Sequence, residues 1–499
     1  MTLPDAFSEN ISVLLKDEAE AFFRSFDTPV ISSLRLNSLR METPALKDIA
    51  KKGGITTGEG VAWCPDGFYY SDDIRPGRDV MHEAGFYYIQ EASAMLPGTL
   101  PDVTGGKRIL DMCAAPGGKS TLLAAGMGSE GLLVSNEIIP SRAKILSENI
   151  ERMGISNAIV TNESPNALSK MFPLYFDCIL VDAPCSGEGM MRKNEQALSM
   201  WSTENVHMCA QRQLDILDHA DLCLKPGGQL VYSTCTFSYE ENEGVILSFL
   251  EKHPDYKTLP IKMTGGMTGP RSMSKDIPDL NCARILPHLS KGEGHFACIL
   301  QKDGILIRES RKPAVNKRGM ARDRDLNRSV DLLKDFLKEN FTGIERPGAE
   351  SLGIKPRKTA AELRKFALDE KPSEIQSRFL LFGKQLYLLP EDAPDIGRLK
   401  TVRPGLHLGT VEKDRFEPSM ALARALTVYD INYYVNFDAS SPASTDLLKY
   451  FEGSTFAHEG SKGWYLICLE GLGIGWGKLS GGIMKNHYPK GLRKNLKIG

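Results

Sequence analysis

Two cysteines stand where reactive groups are expected. Cys185 lies in Asp182-Ala183-Pro184-Cys185-Ser186-Gly187, directly after Cys178-Ile179-Leu180-Val181, an apolar run with the pattern of a buried parallel strand. Cys235 lies in Tyr232-Ser233-Thr234-Cys235-Thr236, after the strand-like Gln229-Leu230-Val231. Open α/β sheets bind their ligands at the carboxyl edge of the strands, so both thiols and Asp182 are aimed at such an edge. Two strand-end thiols, one with an acid three residues before it, suit thiolate chemistry on a planar substrate.

The elements that position them begin at Lys107, where strand and helix alternate. Strands are expected at 108–113, 132–136, 157–161, 177–182, 228–234 and 295–301, with helices at 120–127, 140–153 and 203–224. This alternation predicts an α/β class with a doubly wound parallel sheet. Between the first strand and its helix, Cys113-Ala114-Ala115-Pro116-Gly117-Gly118-Lys119-Ser120 forms a tight glycine loop. Its backbone can approach an anionic group at a helix N-terminus. Glu137 follows Gly117 by 20 residues, the spacing of an acid that binds ribose hydroxyls. A nucleoside cofactor follows. The dinucleotide pattern G-x-G-x-x-G is absent, and a phosphate loop would need glycine at 113, where the chain has cysteine. S-adenosylmethionine fits better, because it needs a ribose acid and no pyrophosphate cradle, and Lys119 can pair with its carboxylate.

The 499 residues are 41% hydrophobic and 25% charged with net charge −2, an ordinary globular composition for about three domains. Ten cysteines include no zinc-like spacing, so no metal is expected and reduced thiols are. No signal peptide and no membrane-length apolar run is evident; a cytoplasmic monomer is expected.

Residues 5–26 read as one or two amphipathic helices, and 31–37 as a surface strand presenting Arg35 beside Asn37. In 86–95 a short aromatic strand runs into a helix, where Gln90 and Ser93 line a pocket or cap the helix. Residues 308–328 hold eight Lys/Arg against three acids and read as a basic linker. Helical pattern resumes at 330–340 and strand-like runs follow at 378–390, the pattern of a small mixed domain; from 436 a glycine-rich β module follows. The last stretch, 478–499, has six Lys/Arg and no acid, a composition suited to RNA phosphates. The division expected is 1–100, 101–305, a linker at 306–330, 331–435 and 436–499.

LDMCAAPGGKS (110–120), VDAPCSGEGMMRK (181–193) and YSTCTFSYEENE (232–243), in this order, resemble the Nol/Nop/Sun family of RNA cytosine-C5 methyltransferases. SLRLN (33–37), YIQEAS (88–93) and GHFAC (294–298) are similar to its flanking motifs, and KNHYPKGLRK (485–494) is similar to the ending of its bacterial small-subunit rRNA branch. The resemblance implies a Rossmann-like methyltransferase core, an N-terminal α+β RNA-binding segment, a C-terminal module similar to PUA domains, and an RNA substrate, 16S rRNA or the small subunit ahead of tRNA. It implies Cys235 as the nucleophile on C6, Cys185 as the residue that assists release, and Asp182 on the cytosine edge. Lys119, Lys193 or helix dipoles are candidates to activate Cys235. The expected cofactor site comprises Cys113, Ala114, Ala115, Pro116, Gly117, Gly118, Lys119, Glu137, Arg142, Asn162 and Asp182. Asn162-Glu163 stands where relatives more often carry an aspartate near the adenine. The expected RNA contacts are Arg35, Asn37, Arg192, Lys193, Lys485, Lys490, Arg493 and Lys494. Two other classes fit less well. A DNA cytosine methyltransferase would exchange the roles of the two cysteines, and a non-catalytic RNA-binding factor would not need the full catalytic set.

Overall fold

A computed structural model describes residues 3–55, 57–71, 73–274, 279–307, 323–342, 348–369, 374–439 and 445–496. Helices Asp5–Leu15 and Ala19–Ser25 precede an antiparallel sheet of β1 (Ser32–Leu36), β2 (Gly67–Tyr70) and β3 (Tyr87–Ile89), in the order β2-β1-β3. The strand expected at the surface is instead buried on both faces. Leu34 and Leu36 join an apolar cluster with Phe68 and Tyr87, while Arg35 packs against the next domain. A central strand flanked by two layers has no solvated face.

The catalytic sheet is built from β4 (Arg108–Asp111), β5 (Leu132–Asn136), β6 (Ala158–Thr161), β7 (Phe176–Asp182), β8 (Leu224–Thr234), β9 (Tyr256–Leu259), β10 (Cys282–Ile285) and β11 (His295–Lys302). Its order is β10-β11-β8-β7-β4-β5-β6, with β9 also on β11. Strands β4 to β8 are parallel, joined by crossovers that include helices Gly118–Met127, Pro140–Arg152, Pro165–Met171 and Thr203–Cys223. Alternate residues face opposite sides. Ile109, Leu133, Val160, Leu180 and Val231 belong to one core, and Leu110, Val134, Ile159, Ile179 and Leu230 to the other.

The sheet departs from the expected all-parallel form in two places. β11 runs antiparallel to both β8 and β10, and the short link 286–294 joins it to β10 without the crossover a parallel pair requires. A strand from much later in the chain, Thr401–Arg403, adds antiparallel to β6 and closes that edge.

The C-terminal half contains helices Asp323–Asn340 and Lys358–Leu368, a four-stranded sheet spanning 379–418 and a five-stranded sheet spanning 434–486. The first helix begins within the expected linker, whose residues 308–322 lie outside the described ones. The two sheets share an apolar core in which Leu333, Phe336 and Leu408 meet Leu466 and Trp476.

The short helix Val80–Glu83 gathers the domains together. Helix C-termini leave carbonyls without intrahelical partners, and here four in a row accept from outside. Arg152 Nη1 donates to His82 O (2.8 Å), Arg424 Nη2 to Glu83 O (2.7 Å), Arg40 Nη1 to Ala84 O (3.0 Å) and Asn37 Nδ2 to Gly85 O (2.7 Å). Among the described residues no helix is long and apolar enough to cross a membrane, and no group of three or more His, Cys, Asp or Glu is placed to hold a metal ion.

Candidate active site

From β4 the chain moves outward through β5 and β6, then returns to place β7 on the other side of β4. Such a reversal opens a crevice at the carboxyl ends of the two central strands. The loop after β4 and the Asp182–Gly187 segment after β7 face it from neighbouring strands. β8 lies beside β7 in parallel with Asp182 level with Ser233, so the segments leaving the two strands run side by side. That register brings the sulfurs of Cys185 and Cys235 to 3.3 Å.

Asp182 is held from three sides. Lys119 Nζ, in the first turn of its helix, donates to Oδ2 at 2.6 Å; Ser233 Oγ donates to Oδ1 at 2.8 Å; and His295 Nε2, at the start of β11, stands 3.4 Å from Oδ1. Burial alone would raise the Asp182 pKa, but the Lys119 ammonium and His295 outweigh it and hold the carboxyl well below the usual range. Burial would likewise discharge Lys119, and Asp182 reverses that. The hydrogen bond to Cys235, burial, and the charges of Cys235 and Glu241 push the Cys185 thiol well above its ordinary range.

The glycine loop has the geometry expected of it. Gly117 caps the helix with φ 113°, a left-handed value that favours glycine. Arg142 Nη2 and Asn149 Nδ2 donate to the carbonyls of Ala115 and Pro116 at 2.8 and 2.9 Å, holding Cys113–Gly118 against the next helix. Glu137, just past β5, accepts from Ile139 N at 2.9 Å and pairs with Arg142 Nη1 at 3.3 Å. Asn162 Nδ2 donates to Glu137 O at 2.6 Å. These contacts lie at or just beyond the carboxyl ends of β4, β5 and β6.

Asp111, at the end of β4, was not singled out from the sequence. Its Oδ2 accepts from Ser120 Oγ at 2.6 Å, and its buried Oδ1 has no hydrogen-bond partner. Burial pushes its carboxyl up to about 7 against that hydrogen bond.

The expected RNA contacts divide. Arg35 and Asn37 are corrected, because both are fully buried and engaged between domains. Arg35 donates to Gln90 Oε1 (3.2 Å), Gly118 O (3.1 Å) and Thr121 Oγ1 (2.7 Å), while Asn37 bridges Gly85 O and Met153 O. Gln90 is thus a structural acceptor that also reaches Ala94 O. Arg192 is corrected too. It forms a buried bidentate pair with Glu293 (2.7 and 2.9 Å) and reaches the N-terminal segment at Thr28. Lys193 is exposed and 3.7 Å from the same carboxylate. Lys485 and Lys490 are exposed, Arg493 is half-buried, and Lys494 bonds to Glu83 at 2.9 Å.

Sequence reasoning also missed the supports behind the thiols. Glu188 accepts from Trp201 Nε1 and Phe237 N, both at 2.9 Å; Asn242 accepts from Thr234 Oγ1 at 2.6 Å and donates to Thr236 O at 3.0 Å; Glu243 pairs with buried Arg284. Glu188, Asn242 and Glu243 lie inside the quoted motifs, and their roles depend on segments that are adjacent only in space.

Residues 99–301 match a family model described as 16S rRNA methyltransferase RsmB/F. Residues 3–92, 364–426 and 441–494 match the N-terminal domain, first C-terminal domain and PUA domain of the methyltransferase RsmF. The ribosomal RNA small subunit methyltransferase F of Vibrio vulnificus (strain YJ016) is 31% identical over 99% of this chain and 98% of its own. That of Aliivibrio fischeri (strain MJ11) is 31% identical over 98% and 97%. A crystal structure of a methyltransferase homolog from Pyrococcus horikoshii is 28% identical with a TM-score of 0.55, covering 60% of this chain and 95% of that one. With relatives matched from end to end and each successive domain model in place, the chain belongs to the ribosomal RNA small subunit methyltransferase F branch of the Nol/Nop/Sun family.

Proposed function

We propose that this protein methylates C5 of a specific cytidine in small-subunit rRNA, with S-adenosylmethionine as cofactor. The observation that carries this reading is the pair of sulfurs 3.3 Å apart beside the Lys119–Asp182 ion pair. Glu137 is the acid for the ribose, the Cys113–Gly118 backbone lines the cofactor, and Arg142 and Asn162 hold that rim. The unpartnered Asp111 Oδ1 suits the cationic end of the amino-acid tail. When bound, S-adenosylmethionine supplies an electrophilic methyl group.

C5 of cytosine is too electron-poor to take that group directly. The Cys235 thiolate adds to C6, forming an S–C6 bond and making C5 nucleophilic. Asp182, ionised, accepts a hydrogen bond from the exocyclic amine and orients the ring, while the Lys119 ammonium balances the charge beside it. After C5 is methylated, water takes the C5 proton, the freed electron pair breaks the S–C6 bond, and Cys185, beside the departing sulfur, assists the release of the Cys235 thiolate. Lys485 and Lys490 contribute phosphate contacts from the C-terminal module.

Bisulfite sequencing of rRNA and tRNA from a deletion strain tests the assignment. A small-subunit rRNA cytidine protected in the wild type should become convertible. Loss of protection in tRNA alone would overturn the rRNA assignment.

A further inference from the structure

Behind the two thiols lies a buried acid that touches neither the crevice nor the sulfurs. Glu241 is fully buried, and the hydrogen bonds of its carboxylate lead back to the cysteine loops. Its Oε2 accepts from Ser186 N at 2.9 Å and from Gln213 Nε2 at 2.8 Å, and its Oε1 accepts from Ser186 Oγ. Ser186 follows Cys185, and its Oγ is 2.8 Å from the hydroxyl of Thr236, the residue after Cys235. Gln213 Nε2 also donates to Pro184 O, just before Cys185, at 3.1 Å. Tyr232 Oη donates to Glu241 O at 2.6 Å and to Gln213 Oε1 at 3.0 Å, tying the acid to β8 itself. Residues on both sides of Cys185 and one beside Cys235 are therefore fixed by one carboxylate and its partners.

The charge of this acid also bears on Cys185. The partners of the Glu241 carboxylate are a backbone amide, a hydroxyl and a side-chain amide, with no cation among them. A buried carboxylate compensated only by neutral donors is costly, and burial pushes this one up to about 7. Its charge adds to the Cys235 contact and burial that push the Cys185 thiol up. An anion disfavours a neighbouring thiolate.

We propose that Glu241 is a positioning residue for the reaction, clamping the Cys185 loop against Cys235 through Ser186 and Gln213 so that Cys185 stands beside the nucleophile Cys235. The inference rests on the thiol roles proposed above. It predicts that weakening the clamp slows resolution of the protein–RNA adduct and leaves attack by Cys235 in place.

The test uses the full-length protein, labelled S-adenosylmethionine and an unmodified small-subunit rRNA transcript, comparing Glu241→Gln, Ser186→Ala, Cys185→Ala and wild type. Glu241→Gln keeps the size and one acceptor while removing the charge; Ser186→Ala leaves the acid and removes the hydroxyl bridge to Thr236. A displaced reacting group commonly costs on the order of ten- to a hundred-fold. Both clamp variants should lower kcat by about ten-fold or more, with KM for RNA and cofactor near wild type, and should accumulate a methylated adduct stable on denaturing gels. Circular dichroism and thermal melting exclude unfolded material, and Ser186→Ala keeps the test decisive should Glu241→Gln fold poorly. If Cys185→Ala traps the adduct and neither clamp variant does, the thiol roles stand and the role of Glu241 is overturned. If Cys185→Ala itself traps nothing, both fall.

Discussion

The sulfurs of Cys185 and Cys235 are in contact at 3.3 Å, although the residues are 50 positions apart in the chain. The contact follows from two parallel neighbours in register, each ending in a short loop that turns toward the other. One thiol can therefore act on a substrate atom bonded next to the atom that the other attacks, as C5 and C6 are.

Replacement of the two thiols should have opposite consequences. Cys235→Ala is expected to abolish methyl transfer and any covalent RNA adduct. Cys185→Ala should still permit attack and methylation, and the product should stay attached as a slow band on a denaturing gel. The double variant should resemble Cys235→Ala. An adduct that survives in Cys235→Ala and not in Cys185→Ala would reverse the assignment.

Glu137→Ala should weaken S-adenosylmethionine binding by about 2–4 kcal/mol, the scale of losing charge-assisted hydrogen bonds in a buried site. The substitution also releases Arg142, which now pairs with it at 3.3 Å. Titration calorimetry with unchanged affinity would remove Glu137 from the cofactor site.

Reversing the charge of Lys485 and Lys490 together should weaken RNA binding uniformly across sequences. The log–log salt slope should shrink by about one for each phosphate no longer neutralised. Lys494→Glu should behave differently, because it breaks the 2.9 Å bond to Glu83 at the domain junction. Its signature is a lower melting temperature. An unchanged salt slope for the double variant would exclude these lysines as phosphate ligands.

Asp111 predicts a pH dependence of stability. Its folded pKa of about 7 lies above the ordinary aspartate value, so the folded state holds the proton more tightly than the unfolded state does. Its contribution is thus fully present below about pH 4 and fades as pH rises toward 7, by at most about 1.4 kcal/mol per unit. In cofactor-free protein, the stability of wild type relative to Asp111→Asn should fall over that window and then level off. Parallel curves for the two proteins would show that Asp111 titrates normally.

Much of this site could be read without coordinates because its determinants are local. An apolar run ending in a polar loop marks a strand end wherever it occurs, and a glycine loop before a helix has one geometry that side chains rarely tolerate. Hence β4 to β8, the Gly117 turn, Glu137 and both thiols sit where the residue pattern predicts. Membership in a family with known motif order added the likeness of the C-terminal module, where periodicity alone reads as a generic β unit.

Tertiary structure decided what depends on a second segment. Arg35 has the pattern of a solvated strand residue, yet the helix Gly118–Met127 covers it and supplies its acceptors. Arg192 looks like a free cation next to a catalytic motif, but Glu293, about a hundred residues later, claims it. β11 was expected in the parallel sheet, because the period of two is the same for parallel and antiparallel strands, but it runs antiparallel to β8, β9 and β10. Glu241 and Gln213 gained their roles in the same way. Residue type and spacing determined which groups could react, because those are properties of one segment. Which polar groups face the crevice and which lock it together depended on what packed against them, and burial is a property of the whole fold.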